Sequence, residues 1–263
     1  MLVNKERDLR YQPDLARDYE ELHRNISYLD IELRTAHLPH RNQAMLLLRP
    51  MGMAPAQRQG LPQNTWVRRL ARMYLQWAER KGYDRDLYIL MGDKDLNEAR
   101  EFQRITAGNF HDLMKRFDDA PHSDEIALMF EGSNIFGFLK GERGLHRLEL
   151  DPQGDELVQV LVFAIPDGTN VEEWLSDYRE IKVEIEEGRR PPPPMEKLTV
   201  IRVYSLDKGQ GERFIRDIRT NVRTVQIKDV VEKGELDDFI LAFLEQEESA
   251  GTWEDRFPPT FPY

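Results

Sequence analysis

The sequence contains no cysteine among its 263 residues, which excludes disulfide bonds and thiolate metal ligands. It also lacks a long hydrophobic run. The longest one, residues 157–166, is interrupted by Gln159 and is far shorter than the roughly 20 residues that span a bilayer. Residues 1–10 carry no hydrophobic core of a signal peptide. We therefore expect no membrane association and a cytoplasmic location.

The sequence has fewer basic than acidic residues: 37 Lys and Arg against 48 Asp and Glu, for a formal net charge of −11. A nucleic-acid-binding surface must be locally basic in order to release counterions from the polyanion. Any contact with RNA must therefore be confined to a patch. The six histidines show no spacing typical of a metal site, and no nucleophile is recognisably paired with a base. We predict no metal, no cofactor and no catalytic residue.

Two segments show the apolar spacing of amphipathic helices. In residues 65–81 the side chains of Trp66, Leu70, Met73 and Trp77 recur on one face, and Gly82 closes the pattern. Within residues 1–40 the spacing alternates between four and three, which is typical of a helix lying against a partner helix. This stripe is a candidate docking surface for another protein and comprises Leu15, Tyr19, Leu22, Ile26, Leu29 and Leu33.

The remaining pattern predicts an α+β fold. Strand-like runs are bounded by turn residues, and they cover residues 44–48, 87–90, 125–130, 135–139, 145–150, 157–165, 181–185 and 198–204. Helical patterns cover residues 95–117 as one broken or two short helices, 171–178 and 236–248. We expect an N-terminal amphipathic helix in 1–40, a domain in 41–250 with a mostly antiparallel sheet and helices on one side, and an irregular tail in 251–263.

Three segments resemble one family, the class I peptide chain release factors. Two of them are the helix that ends in Met73-Tyr74-Leu75-Gln76-Trp77-Ala78-Glu79-Arg80 and the returning segment from Ile201 to Ile240. The third has the family's glycine spacing and a basic pair around a single histidine, and reads Gly137-Phe138-Leu139-Lys140-Gly141-Glu142-Arg143-Gly144-Leu145-His146-Arg147. The resemblance implies a decoding-type domain that binds the small ribosomal subunit.

Two departures from the family pattern bear on function. Release factors carry a catalytic domain ending in a Gly-Gly-Gln tip, but here four prolines, Pro191 to Pro194, are soon followed by the returning strand. A polyproline spacer cannot copy a flexible glycine tip, so we expect a deletion of the catalytic domain at about 188–197. The loop at residues 149–156, where the family reads stop codons, is short and acidic, and carboxylates repel phosphate.

The sequence thus favours a non-catalytic release-factor homologue that binds the ribosome or RNA. Its candidate contacts lie on a glycine-rich hairpin and on a later arginine series, and they are Lys140, Arg143, His146, Arg147, Arg213, Arg216, Arg219 and Arg223. His146 could instead fix a turn between strands, and the arginine series could line a helix face or a loop. The alternatives are a protein-interaction module derived from the same fold and, third, a working release factor that uses Gln210.

Overall fold

The computed structural model describes residues 13–51, 65–91, 100–121, 125–150, 155–191, 199–207 and 212–248. Several features named above lie outside these ranges: the tail 251–263, Gln210, most of the proline run and the middle of the acidic loop. Elements are numbered along the chain within the described residues.

The described residues form one nine-stranded sheet with the order β3-β2-β4-β1-β6-β5-β7-β8-β9. The strands are β1 (Gln43–Met51), β2 (Asp84–Met91), β3 (Glu101–Ile105), β4 (Ile126–Glu131), β5 (Gly144–Leu150), β6 (Glu156–Ala164), β7 (Val200–Asp207), β8 (Phe214–Asp217) and β9 (Arg223–Thr224). Every pairing is antiparallel except that of β5 with β7, which is parallel. The prediction of an α+β fold with a mostly antiparallel sheet is confirmed.

The described helices are α1 (Pro13–Arg34), α2 (Thr65–Lys81), α3 (Phe110–Asp119), α4 (Ile135–Leu139), α5 (Val171–Glu186), α6 (Ile227–Lys233) and α7 (Asp237–Glu248), with a 3-10 turn at Lys140–Glu142. The larger core packs α2, α3, α4, α6 and α7 on one face of the sheet. A smaller core packs Leu175 and Tyr178 of α5 against the other face, over β1, β2, β4 and β6. Helices therefore cover both faces, and the expectation of helices on one side was wrong.

Helix α2 illustrates how sequence dictates this core. Its four predicted apolar residues, Trp66, Leu70, Met73 and Trp77, are all fully buried. Both indole N–H groups are hydrogen-bonded. Trp66 Nε1 donates to the carbonyl oxygen of His146 at 3.3 Å, and Trp77 Nε1 donates to Asp237 Oδ1 at 2.9 Å. Because buried indole N–H groups are costly when unpaired, these bonds fix α2 against β5 and α7.

Helix α1 contacts the rest of the molecule through the face opposite its predicted stripe. The hydroxyl of Tyr28 donates to Asp237 Oδ1 at 2.6 Å, its ring packs 4.8 Å from that of Phe138, and Ile31 is buried in the core. The six apolar residues of the stripe are instead 53–76% exposed. The stripe therefore lies against none of the described elements.

Three secondary-structure predictions were wrong. Residues 135–139 were expected to form a strand and form α4, because the run is buried on all sides and apolar runs this short do not discriminate strand from helix. Residues 181–185 were expected to be a strand and continue α5, where Lys182 pairs with Glu125, the residue directly before β4. Within the segment expected to be helical from 95 to 117, residues 101–105 form the edge strand β3.

Candidate nucleic-acid interface

The predicted contact residues converge where β5 runs parallel to β7, with β8 and β9 beyond them. Successive residues of a strand point to opposite faces of the sheet. One face of these four strands looks into the larger core, and the other is the face that α5 covers farther along the sheet. Register position therefore separates side chains of the core face from those of the opposite face, where Val203 is also buried, Arg147 is partly buried, and Arg216 and Arg223 are exposed.

On the core face, a buried ion-pair network joins β7, β8 and the 3-10 turn. Arg202 donates from Nη1 to Glu142 Oε2 and from Nη2 to Glu142 Oε1, both at 2.7 Å, and Nη2 also lies 3.2 Å from Asp217 Oδ2. The hydroxyl of Tyr74 donates to Glu142 Oε2 at 2.7 Å. The side chains of Arg202, Glu142 and Asp217 are at most 1% exposed, so no ligand reaches them.

The charges of this network are mutually stabilised. Burial alone would raise the pKa of the Glu142 carboxyl, but the guanidinium of Arg202 outweighs it and holds that pKa below its ordinary range. Burial likewise opposes ionisation of Asp217, and hydrogen bonds from Arg219 together with the charge of Arg202 lower its pKa. Both carboxyls are therefore ionised at neutral pH, which is what a satisfied buried pair requires.

His146 is completely buried beside this network, so the interpretation of His146 as an RNA contact is corrected. Its Nδ1 lies 3.1 Å from the hydroxyl of Tyr204, and its Nε2 lies 3.1 Å from the carbonyl oxygen of Glu142. Burial lowers the pKa of His146 to about 4. The neutral ring then donates from Nε2 to the carbonyl oxygen and accepts the hydroxyl proton at Nδ1. His146 thus links β5 to β7 and to the 3-10 turn; the structural interpretation expected a turn between two strands, but the element before β5 is helical.

Of two further predicted contacts, Lys140 is buried and Arg219 is partly buried. Lys140 is only 6% exposed and its Nζ lies 3.7 Å from Glu247 Oε2, and burial lowers the pKa of this lysine to about 8. Arg219 donates to the carbonyl oxygen of Gly141 at 2.6 Å and to both carboxylate oxygens of Asp217, and its guanidinium stacks on Phe243. The expectation that Lys140 contacts RNA is corrected, because its buried side chain ties the 3-10 turn to α7. Arg219 ties the β8–β9 turn to Asp217, Gly141 and Phe243 while staying 22% exposed.

The opposite face carries a row of three arginines. Arg147 pairs with Val203, Val203 pairs with Arg216, and Arg216 pairs with Arg223. Directly paired residues of neighbouring strands lie on the same face, so the three guanidinium groups share one surface. Strands are about 4.8 Å apart, which spreads the three positions over about 14 Å. We call Arg147, Arg216 and Arg223 the arginine row.

Carboxylates accompany two of the three arginines and balance the formal charge of the row. Arg147 lies 3.3 Å from Glu149 and 3.7 Å from Asp155, and Arg223 lies 2.6 Å from Glu212 with its guanidinium over the ring of Phe214. Arg216 donates to the neutral amide oxygen of Asn221 at 2.7 Å. Because these carboxylates are at least one-fifth exposed and surface ion pairs are weak, an incoming phosphate can replace them.

The structure therefore divides the eight predicted contacts. It brings three together in the arginine row, buries Lys140 and His146, holds the partly buried Arg219 in the β8–β9 turn, and leaves Arg143 and Arg213 directly before β5 and β8. The later arginine series lines neither a helix face nor a single loop: it follows the hairpin of β8 and β9.

Sequence reasoning missed the buried partners Glu142, Arg202 and Asp217. The available signal was an arginine inside the apolar strand Val200–Asp207, since a buried cation requires a carboxylate.

Neither a metal site nor a membrane span is found in the part of the chain that the structure describes. No group of three or more His, Asp or Glu side chains there could hold a metal ion, and none of its helices is long and apolar enough to cross a bilayer.

The architecture is release-factor-like. A structure described as RF2 of Thermus thermophilus matches 90% of this chain and 76% of its own, with a TM-score of 0.52 and 18% sequence identity. At a sequence identity this low, the match establishes only that the two folds are similar.

The sequence comparison points to the same class. The chain is similar to peptide chain release factor 2 of Listeria innocua, with 26% identity over 147 residues, which are 56% of this chain and 32% of that protein. It is also similar to peptide chain release factor 2 of Pseudothermotoga lettingae (27% over 140 residues, 52% of this chain and 30% of that protein) and of Clostridium perfringens (28% over 145 residues, 55% and 31%). The match covers about a third of the length of these curated relatives, and no protein-family model matches the chain. The resemblance found in the sequence is confirmed.

Proposed function

We propose that this protein is a translation-related factor that docks on the ribosome at the release-factor site and contacts RNA phosphates through the arginine row. The observation that carries the proposal is the coincidence of a release-factor-like fold with three arginines on one face of β5, β8 and β9. Phosphate contacts of this kind position a protein without reading sequence.

We expect this protein not to catalyse peptide release. The chain contains no Gly-Gly-Gln tripeptide. Helix α5 ends at Glu186 and the returning strand β7 begins at Val200, which leaves far fewer residues than the roughly 50 of even a small domain. With no room there for a catalytic lobe, the factor occupies the site without hydrolysing the peptidyl-tRNA ester. The third hypothesis, a relocated Gln210, predicts peptide release that is lost in Gln210→Ala, and a release assay distinguishes it.

Ribosome co-sedimentation tests the role of the arginine row. We expect the wild-type protein to pellet with ribosomes at 50 mM salt and to dissociate by 200 mM, because each phosphate contact contributes about −0.7 to the slope of log affinity against log salt. Replacing Arg147, Arg216 and Arg223 together by Ser removes three such contacts. The triple variant should bind at least about tenfold more weakly at 50 mM salt, with a slope shallower by about 2.

The matched control removes the same charge from exposed arginines on other elements, and it replaces Arg104, Arg116 and Arg189 by Ser. It should bind like the wild type if the row, rather than net charge, makes the contact. Equal weakening in both triple variants would refute the assignment of the site. No pelleting of the wild-type protein at 50 mM salt would refute the proposed function and favour the protein-interaction module.

A further inference from the structure

The outward face of α1 has no partner among the described elements although it is strongly apolar. Successive helix residues are about 100° apart, so Tyr28 and Ile31, which fasten α1 to the core, lie on the side opposite the stripe. From Leu15 to Leu33 the stripe is about 27 Å long at 1.5 Å per residue, and each of its six side chains is more than half exposed. An exposed apolar surface of this length marks an interaction site.

The spacing of the stripe specifies the shape of what covers it. Intervals of four, three, four, three and four residues give the heptad period of 3.5, which keeps a seam facing a second helix. In heptad notation Leu15, Leu22 and Leu29 occupy d positions, and Tyr19, Ile26 and Leu33 occupy a positions. A strand or a membrane surface would not require this period. The stripe is therefore built for an α-helix that packs knobs into holes.

The N-terminal half of α1 strengthens this conclusion. Residues 14–23 are exposed on every side apart from half-buried Ala16, so they extend beyond the body of the protein. A helical segment this short is marginal in water when nothing packs against it. A second helix along the stripe would supply the missing packing.

Charge along the two edges of the stripe selects among helical partners. One edge is acidic and polar, and it carries Asp14, Asp18, Glu21, Asn25 and Glu32. The other edge carries a smaller net negative charge, since Glu20 lies there beside Ala16, His23 and the ion pair of Asp30 with Arg34. In an antiparallel pair with a second copy, the acidic edges would face each other and set Asp18 against Glu32, which like charges disfavour. The net charge of −11 adds to this repulsion.

We propose that the stripe of α1 is the docking site for an amphipathic α-helix of another protein whose flanking positions are basic. The apolar seam supplies the affinity, and the acidic edge chooses the partner and its orientation. This inference is independent of ribosome binding, because α1 and the arginine row share no residue.

Two synthetic 21-residue peptides test the inference by calorimetric titration against the full chain. Both carry Leu at a and d positions; one carries Lys at e and g, and its twin carries Glu there. We expect the Lys peptide to bind at least about tenfold more tightly than the Glu peptide. Leu22→Ser combined with Leu29→Ser should abolish binding of both without altering the fold, since both side chains are exposed.

A charge reversal completes the design. Asp18→Lys with Asn25→Lys places two cations at g positions, and it should invert the preference so that the Glu peptide binds more tightly. Equal affinity of the two peptides for the wild-type chain would overturn the basic-partner inference. So would a dimer in sedimentation velocity that Leu22→Ser with Leu29→Ser dissociates, because a second copy would then occupy the stripe. Absence of binding by either peptide would overturn the docking site itself.

Discussion

Arg202→Met should lower the free energy of unfolding by about 3–5 kcal/mol, the usual result of removing one partner from a buried ion pair. Methionine fills much of the space of the arginine stem but leaves Glu142 without its bidentate partner and Asp217 with Arg219 alone. Both carboxylates lie where water cannot replace the lost hydrogen bonds. Urea denaturation monitored by tryptophan fluorescence measures the change.

The matched control is Arg104→Met, which breaks the cross-strand pair of Arg104 with Asp86 on the exposed part of β2 and β3. Exposed pairs contribute less than about 1 kcal/mol, so this variant should unfold close to the wild type. A loss below about 1 kcal/mol for Arg202→Met as well would mean that the buried network does not hold β7 and β8 to the 3-10 turn.

The same variant has a defined pH dependence. The folded protein holds the pKa of Glu142 and of Asp217 below the ordinary carboxyl range, so these groups contribute stability above that range and the contribution is lost as pH falls. Arg202→Met removes the main cause of the shift at Glu142. The difference in unfolding free energy between wild type and variant should therefore be largest near pH 7 and should shrink as the pH falls below about 4.

Gly234→Ala should destabilise the protein by more than about 2 kcal/mol, because two penalties act together. Gly234 ends α6 in the left-handed region, with φ of 70°, where a side chain costs about 1–2 kcal/mol. A Cβ there would also overlap the backbone nitrogen of Trp77 and lie 2.8 Å from the carbonyl oxygen of Met73. That neighbour is the backbone of the central helix α2, which cannot move aside. Thermal and urea unfolding measure the loss.

Gly188 provides the control, since its φ of 72° is nearly the same but nothing lies within 4 Å of the position of its Cβ. Gly188→Ala isolates the conformational cost and should lower stability by about 1 kcal/mol. Should the two alanine variants prove equally stable, the close approach of α6 to α2 would be wrong.

Much of the framework could be predicted from the sequence. The four-three spacing of Trp66, Leu70, Met73 and Trp77 predicted α2 with its bounds, because a long periodic segment has one way to bury its face. The strand prediction for residues 181–185 was wrong because the segment is short. Its five alternating residues fit a strand, but they continue helix α5. The pattern of a short run cannot record which element it packs against.

The arginine row could not be derived from spacing along the chain. Arg147 and Arg216 become near neighbours only because β5 and β8 both flank β7, and the parallel pairing of β5 with β7 is set by tertiary packing. Sequence reasoning selected the correct segments but could not divide them into faces. For that reason it grouped His146, which is buried on the core face, with Arg147 and Arg216, which lie on the opposite face.

We propose that this release-factor-like protein occupies the release-factor site without releasing the peptide. The most direct test of this proposal is competition on a ribosome that carries labelled peptidyl-tRNA and a stop codon in the decoding site. We predict that increasing concentrations of the protein slow peptide release by release factor 2, that excess release factor 2 restores the rate, and that the protein alone releases no peptide. Undiminished release at saturating concentrations, or release by the protein itself, would contradict the account.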